Sequence, residues 1–173
     1  MKYLIFALVS LNLFAVDGYK DFKLGSKLKD TIPYKACPFV KDSNASEGEI
    51  EIYTCEKYQV SGEVRPISLM FVNDKLERIA LAVGVKDEDF VAYTELLLKK
   101  YGKLSSYPDK KSRDGFDSGD MNQMDVGFDK GTVISRIIRH SGNQKLVMLI
   151  YTVADFDQKV SAARKSKISL DDI

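Results

Sequence analysis

The sequence has no tryptophan, a single histidine and only two cysteines in 173 residues. It also lacks an apolar run of the roughly 20 residues that a membrane-spanning helix requires. Neither charge is in surplus, since 26 lysines and arginines stand against 25 acids. Each shortage removes a class of function. The lone histidine, His140, cannot supply a multi-histidine zinc site, and it ends an expected strand, "RIIRH", beside a turn, so the sequence gives no serine–histidine–acid triad. The cysteines follow neither the C-x-x-C redox spacing nor a zinc pattern. A near-neutral chain has no general electrostatic attraction to nucleic acid or anionic lipid. Phosphate-cradling glycine loops, dinucleotide fingerprints and nucleophile elbows are absent too. The chain therefore does not read as an enzyme, and no cofactor is implied.

What is present begins at the N-terminus. In "MKYLIFALVSLNLFAVDG", Lys2 precedes an apolar stretch from Tyr3 to Phe14, broken only by Ser10 and Asn12, and the pattern turns polar at Asp17. This is the layout of a cleaved secretory signal peptide. The expected leader is residues 1–15, with 1–18 as the alternative cut. No cysteine lies near the cut, so a lipid anchor is not expected, and no integral membrane segment remains after cleavage. Removing residues 1–15 takes away Lys2 and no acid, leaving 25 basic and 25 acidic residues. Residues 16–173 are long enough for one domain with its own core.

In an exported chain, Cys37 and Cys55 are expected to form a disulfide. The bridge closes a ring of about 18 residues and contributes about 3 kcal/mol by restricting the unfolded chain. Inside that ring lies "KDSNASEG", residues 41–48, a polar loop. It carries Asn44 and Ser46 in N-x-S spacing, with Asp42 two positions before the asparagine, so Asn44 is a candidate glycan acceptor.

The remaining pattern alternates short strands with helices. "FKLGSKLKDTIP" allows a short helix before Pro33, with Ser26 as its cap. "EIEIYTCEKY" (49–58) alternates as a strand. "RPISLMFVNDKLERIALAVG" (65–84) reads as a hairpin turning at Asn73-Asp74-Lys75, with Ile79, Leu81 and Val83 on one face and Ala80 and Ala82 on the other. "KDEDFVAYTELLLKKYG" (86–102) is the clearest helix, with Asp87 as the expected cap and Gly102 as the stop. Residues 103–122 read as a long polar loop. "QMDVGF", "TVISRIIRH" and "KLVMLIYTV" come next as three strands joined at Asp129-Lys130-Gly131 and Ser141-Gly142-Asn143, and residues 155–167 as a final helix with Phe156, Val160 and Ala163 inward. The segment from Phe71 and that from Phe128 are a faint strand–turn–strand echo of each other. The fold class is α+β: an antiparallel sheet of five or six strands built from hairpins, with helices packed on one face.

"FKLGSKLKD", the two cysteines, "FVNDKLERI" and "LLLKKYGKL" together resemble a group of small, uncharacterised periplasmic proteins of Gram-negative bacteria. Their pattern runs LG, Cys, Cys, F-x-N-x-K-L and KYG. The resemblance covers most of residues 22–104 and implies a compartment and a fold; its motifs are structural. The second half of that pattern often carries a tryptophan, which this chain lacks. A looser likeness of architecture is to the helix-plus-sheet modules of secreted enzyme inhibitors and outer-membrane assembly lipoproteins.

Two candidate surfaces remain. Asp114, Asp117 and Asp120 recur every third residue in "RDGFDSGDMNQMD". That is not the helix-loop-helix calcium spacing, and no glutamate closes it, but irregular oxygen sites exist, so the three are the candidate metal ligands. Tyr107, Arg113 and Phe116 in the same segment are candidate partner contacts. The expected function is an exported, non-catalytic binding protein of the cell envelope, periplasmic or secreted. Its partner is expected to be an envelope or secreted protein, as for an inhibitor or immunity-type protein acting on a secreted enzyme. The alternative is a periplasmic small-ligand or calcium-binding protein.

Overall fold

The computed structural model describes residues 16–60 and 62–165, so the expected leader and its cleavage sequence up to Ala15 lie outside the described residues. A small antiparallel pair, β1 (Gly18–Tyr19) and β2 (Phe22–Lys23), leads to the single-turn helix α1 (Leu28–Thr31). Then come β3 (Val40–Lys41), β4 (Ile50–Val60), β5 (Glu63–Val72) and β6 (Lys75–Gly84). Helix α2 (Asp87–Tyr101), strand β7 (Leu104–Ser106) and helix α3 (Lys110–Ser118) are next, then β8 (Gln123–Phe128), β9 (Val133–Arg139), β10 (Lys145–Thr152) and helix α4 (Phe156–Lys165).

Eight of the strands form one antiparallel sheet in the order β3-β4-β5-β6-β10-β9-β8-β7. The expectation of five or six strands is corrected on this point. The six long strands stand where alternation places them. The two extra ones are edge strands of two and three residues, too short to carry a period. The hairpins turn at the expected residues. Between β5 and β6 the loop is Asn73-Asp74 with φ of 51° and 62°, the doubly left-handed turn that matches strand twist.

The inner face of the sheet carries the main core. Ile67, Leu69 and Phe71 of β5, Ile79, Leu81 and Val83 of β6, and Val147, Leu149 and Tyr151 of β10 are buried there together with Val126, Phe128, Val133 and Ile137. Phe90 and Leu97 of α2 close over them, and Phe116 of α3 joins the same cluster. Helix α2 starts one residue earlier than a cap at Asp87 would place it, because Asp87 is already its first helical residue. Asp89 is the capping carboxylate, accepting from the backbone N–H of Val85 and Lys86 at 2.9 and 3.1 Å. Asp87 instead pairs with Lys145 across the fold. The helix stops at Gly102, whose φ of 80° is the left-handed conformation glycine adopts without strain.

The helices do not share one face, which corrects the second part of the expected fold. Phe156 and Ala163 of α4 pack with Ile50 and Val72 in a separate cluster, with Met70, Val153 and Val160 partly buried around it. The cause is local. Met70 pairs with Arg78 and Phe71 with Leu76, which leaves Glu77 as an extra residue in β6. Such a bulge turns two neighbouring side chains toward one side of the sheet. Here Glu77 meets Lys159 of α4 at 2.8 Å, and the Arg78 guanidinium lies 3.5 Å from the centre of the Phe156 ring. The segment 103–122 is corrected as well. It holds β7 and the nine-residue α3, started by Asp109, whose carboxylate accepts from the Ser112 N–H at 2.7 Å, and ended at Gly119 with φ of 90°.

Candidate functional site: the outer face of the sheet

Because the inner face is filled by α2, side chains of opposite parity point outward. Cross-strand pairing sets them in rows. One row runs Thr54, Ser68, Ala80, Ile150, Ile134 and Gly127 from β4 across to β8. The next holds Ala82, Met148, Arg136 and Asp125, and a third holds Leu146, Ile138 and Gln123. Ile150 is buried, whereas Ala80, Ala82, Ile134, Ile138, Leu146 and Met148 are half-buried, apolar and part of the surface. Helix α4 is seated at the β4–β5 end of this face, on Ile50 and Val72.

One ion pair crosses the apolar field. Arg136 donates to both oxygens of Asp125, from Nε at 2.8 Å and from Nη2 at 2.6 Å, and Gln123 Nε2 donates to the same carboxylate at 3.1 Å. A two-point guanidinium–carboxylate contact holds both groups in fixed orientation. Toward α4, burial pulls the Arg78 guanidinium down to about 10, with Asp157 opposing the shift and Arg136 adding to it. The arrangement presents a group of half-buried apolar side chains with one oriented charge pair among them. That chemistry suits recognition by area and shape.

The expected site residues fall elsewhere. Asp114 and Asp117 are exposed on α3 and Asp120 lies just beyond its cap; Lys110 holds Asp114 at 3.0 Å and the Ser118 hydroxyl donates to Asp120 at 2.7 Å. Among the described residues, no three His, Cys, Asp or Glu side chains gather at one point that could hold a metal ion. Phe116 is 2% exposed, covered by Arg139 at 4.8 Å, and so belongs to the core, not to a contact surface. Arg113 donates to the Pro108 carbonyl at 2.7 Å and lies over the Tyr107 ring at 5.4 Å. Tyr107 is the exposed member of this trio.

His140 is exposed at the end of β9, its backbone N–H bound to the Gln144 carbonyl at 2.7 Å. Cys37 and Cys55 are joined, both buried, with Cα atoms 6.0 Å apart. Asn44 is exposed in the turn between β3 and β4. The outer face itself is not picked out by residue types, although "KLVMLIYTV", apolar on both sides, contains the signal. Its position as a central strand accounts for one apolar side, and the open rows account for the other.

A family model described as an uncharacterised protein matches residues 19–172. The chain belongs to this family. An uncharacterized protein of Haemophilus influenzae is 31% identical over 157 residues, which covers 89% of this chain and 86% of that relative. No solved structure matches the chain. The family match spans both halves of the sheet and the disulfide. Among the described residues, no helix is long and apolar enough to cross a membrane.

Proposed function

We propose that the protein is an exported, non-catalytic binding module that holds an envelope or secreted protein against the outer face of its sheet. The observation that carries this reading is the apolar field of Ala80, Ala82, Ile134, Ile138, Leu146 and Met148 around the Arg136–Asp125 pair, beside α4 and without a covering helix among the described residues. Contiguous apolar surface of this kind is costly to leave in water and is retained where a partner covers it. Ala80 and Ala82 stand on adjacent rows beside the larger Ile150 and Met148 of β10, a step in side-chain size that suits an inserted side chain from a partner. The buried disulfide is in keeping with folding in an oxidising compartment. Within this class, an inhibitor or immunity-type protein acting on a secreted enzyme is the sharper form of the proposal.

The test compares oxidised residues 16–173 with Ala82→Arg and Met148→Glu variants in capture from an envelope extract of the native host. The variants place charge on the open field, and their melting temperatures check that the fold survives. One stoichiometric partner, held by the unaltered protein and lost by both folded variants, supports the reading. A partner held equally by all three moves the site off this face, and no partner at all overturns the binding module.

A further inference from the structure

Of the five asparagines, Asn44 alone stands in an N-x-S/T sequon, with alanine between it and Ser46 and an acid, Asp42, two residues before. The fold places this sequence on the outside. Ser43, Asn44 and Ala45 lie in the turn that joins edge strand β3 to β4, with Asn44 and Ala45 exposed. Asn44 donates its backbone N–H to Asp42 Oδ1 at 3.0 Å, and its side-chain amide takes part in no hydrogen bond among the described residues. The neighbouring determinants are engaged: Asp42 Oδ1 also accepts from the Ala45 N–H at 3.1 Å, and Ser46 Oγ accepts from the Ile52 N–H at 2.9 Å. The turn is enclosed by the Cys37–Cys55 ring.

We propose that Asn44 is an N-glycan acceptor whose modification precedes closure of this turn. The inference rests on export, as does the proposed function. The co-reactant is a lipid-linked oligosaccharide pyrophosphate. Asn44 Nδ2 forms the bond to sugar C1, the C1–oxygen bond breaks with its electron pair left on the lipid pyrophosphate, and the proton lost by the amide passes through solvent to that leaving pyrophosphate. An enzyme recognises the acceptor through a charge at Asp42 and a hydroxyl at Ser46. In the folded turn both groups serve their own backbone, so the open chain is the better substrate. Once folded, the turn holds a glycan away from the outer rows of β8, β9 and β10, at the opposite edge of the sheet. Modification is therefore compatible with a partner on those rows.

The experiment expresses the full chain in a bacterium that carries an oligosaccharyltransferase and its lipid-linked oligosaccharide, beside a control protein of known acceptor status. Intact mass is read on the chains that lack the leader and have both cysteines oxidised, which establishes export separately from modification. The expected result is a mass increase of one glycan, abolished by Asn44→Gln and Ser46→Ala, reduced several-fold by Asp42→Ala, and higher in occupancy for Cys37→Ser/Cys55→Ser, read on leader-free chains. Asn44→Gln changes an exposed turn residue, and its unchanged melting temperature checks the fold. A polypeptide mass for exported wild type while the control is modified overturns the proposal, as does a glycan that persists in Asn44→Gln. Equal occupancy with and without the cysteines overturns the timing.

Discussion

Replacing Lys159 with methionine tests how α4 is fastened to the sheet. The bulge in β6 points Glu77 into the α4 interface, where its side chain is 4% exposed and its cation is Lys159 at 2.8 Å. Methionine keeps the apolar stem of lysine and removes the charge, so a buried carboxylate loses its partner. Breaking a fully buried pair this way costs about 3–5 kcal/mol. The Lys159 side chain is 37% exposed and also reaches Asp155 at 3.1 Å, so solvent screens part of the interaction. Discounted for that screening, the expected loss is about 2 kcal/mol. Glu77→Gln leaves a neutral amide in the same place and is expected to cost about 1 kcal/mol. In the Lys159→Met/Glu77→Gln double variant the uncompensated charge is gone, so the double is expected to be at least as stable as Lys159→Met alone. Urea unfolding of the oxidised protein, followed by far-UV circular dichroism at neutral pH, measures all three. A loss below about 0.5 kcal/mol for Lys159→Met, or simple additivity in the double, would refute the reasoning, since an exposed pair behaves in that way.

The same contact has a pH signature. Burial acts to lower the Lys159 ammonium, but hydrogen bonds and charge from Glu77 and Asp155 outweigh it and leave the group above its ordinary value of 10.5. A raised folded value gives stability that is fully present below the unfolded value and lost as pH rises through the folded one, so the urea midpoint should fall above pH 10.5 in the wild type and do so less in Lys159→Met. Replacing both cysteines with serine opens a ring with a sequence separation of 18 and should cost about 3 kcal/mol, matched by reduction of the wild type in the same titration. A Cβ added at Gly84 would lie 2.3 Å from Asp89 Cβ, so Gly84→Ala should displace the α2 cap. The expected cost is about 1–2 kcal/mol, with Asp89→Ala similar and the double variant little worse than either single in a thermal melt.

Much of this fold is legible because its long elements obey simple periods. Ile67, Leu69 and Phe71 alternate as a half-buried strand should, and Phe90 and Leu97 fall two helical turns apart before a stopping glycine. The edge strands are not legible, because Val40–Lys41 and Leu104–Ser106 gain their strand character from pairing with a neighbour and carry no alternation of their own. Helix α3 is hidden by composition. "KKSRDGFDS" buries one large apolar residue, Phe116, so its polar excess reads as loop, although Asp109 three residues before Ser112 is a capping signal. The α4 face is hidden by the bulge. In "KLERIALAVG" the apolar period slips by one between Leu76 and Ile79, but that slip alone does not show that Glu77 and Arg78 both turn toward the same helix. Tyrosine is a residue type common at interfaces, yet here it mostly serves the core: Tyr58 and Tyr151 are buried, and Tyr53, Tyr93 and Tyr101 pack partly against it.

The sheet order explains why one part of the outer face carries no helix among the described residues. Read from its two edges, the order is the same if β3 matches β7, β4 matches β8, β5 matches β9 and β6 matches β10. Each set is preceded by a helix that packs on the inner cluster, α1 through Leu28 and α2 through Phe90 and Leu97. The echo between the segments from Phe71 and Phe128 departs from this match, because those hairpins are β5–β6 and β8–β9, which are not equivalent. The two halves part ways after their last strands. Beyond β6 the chain enters α2 on the inner face. Beyond β10 it enters α4 on the outer face, where Phe156 and Ala163 settle on Ile50 and Val72 of the first half. The outer rows of the second half, with Ile134, Ile138, Leu146 and Met148, receive no corresponding helix among the described residues. The proposed partner would cover these side chains and remove their apolar surface from water, which is what the Ala82→Arg and Met148→Glu variants test.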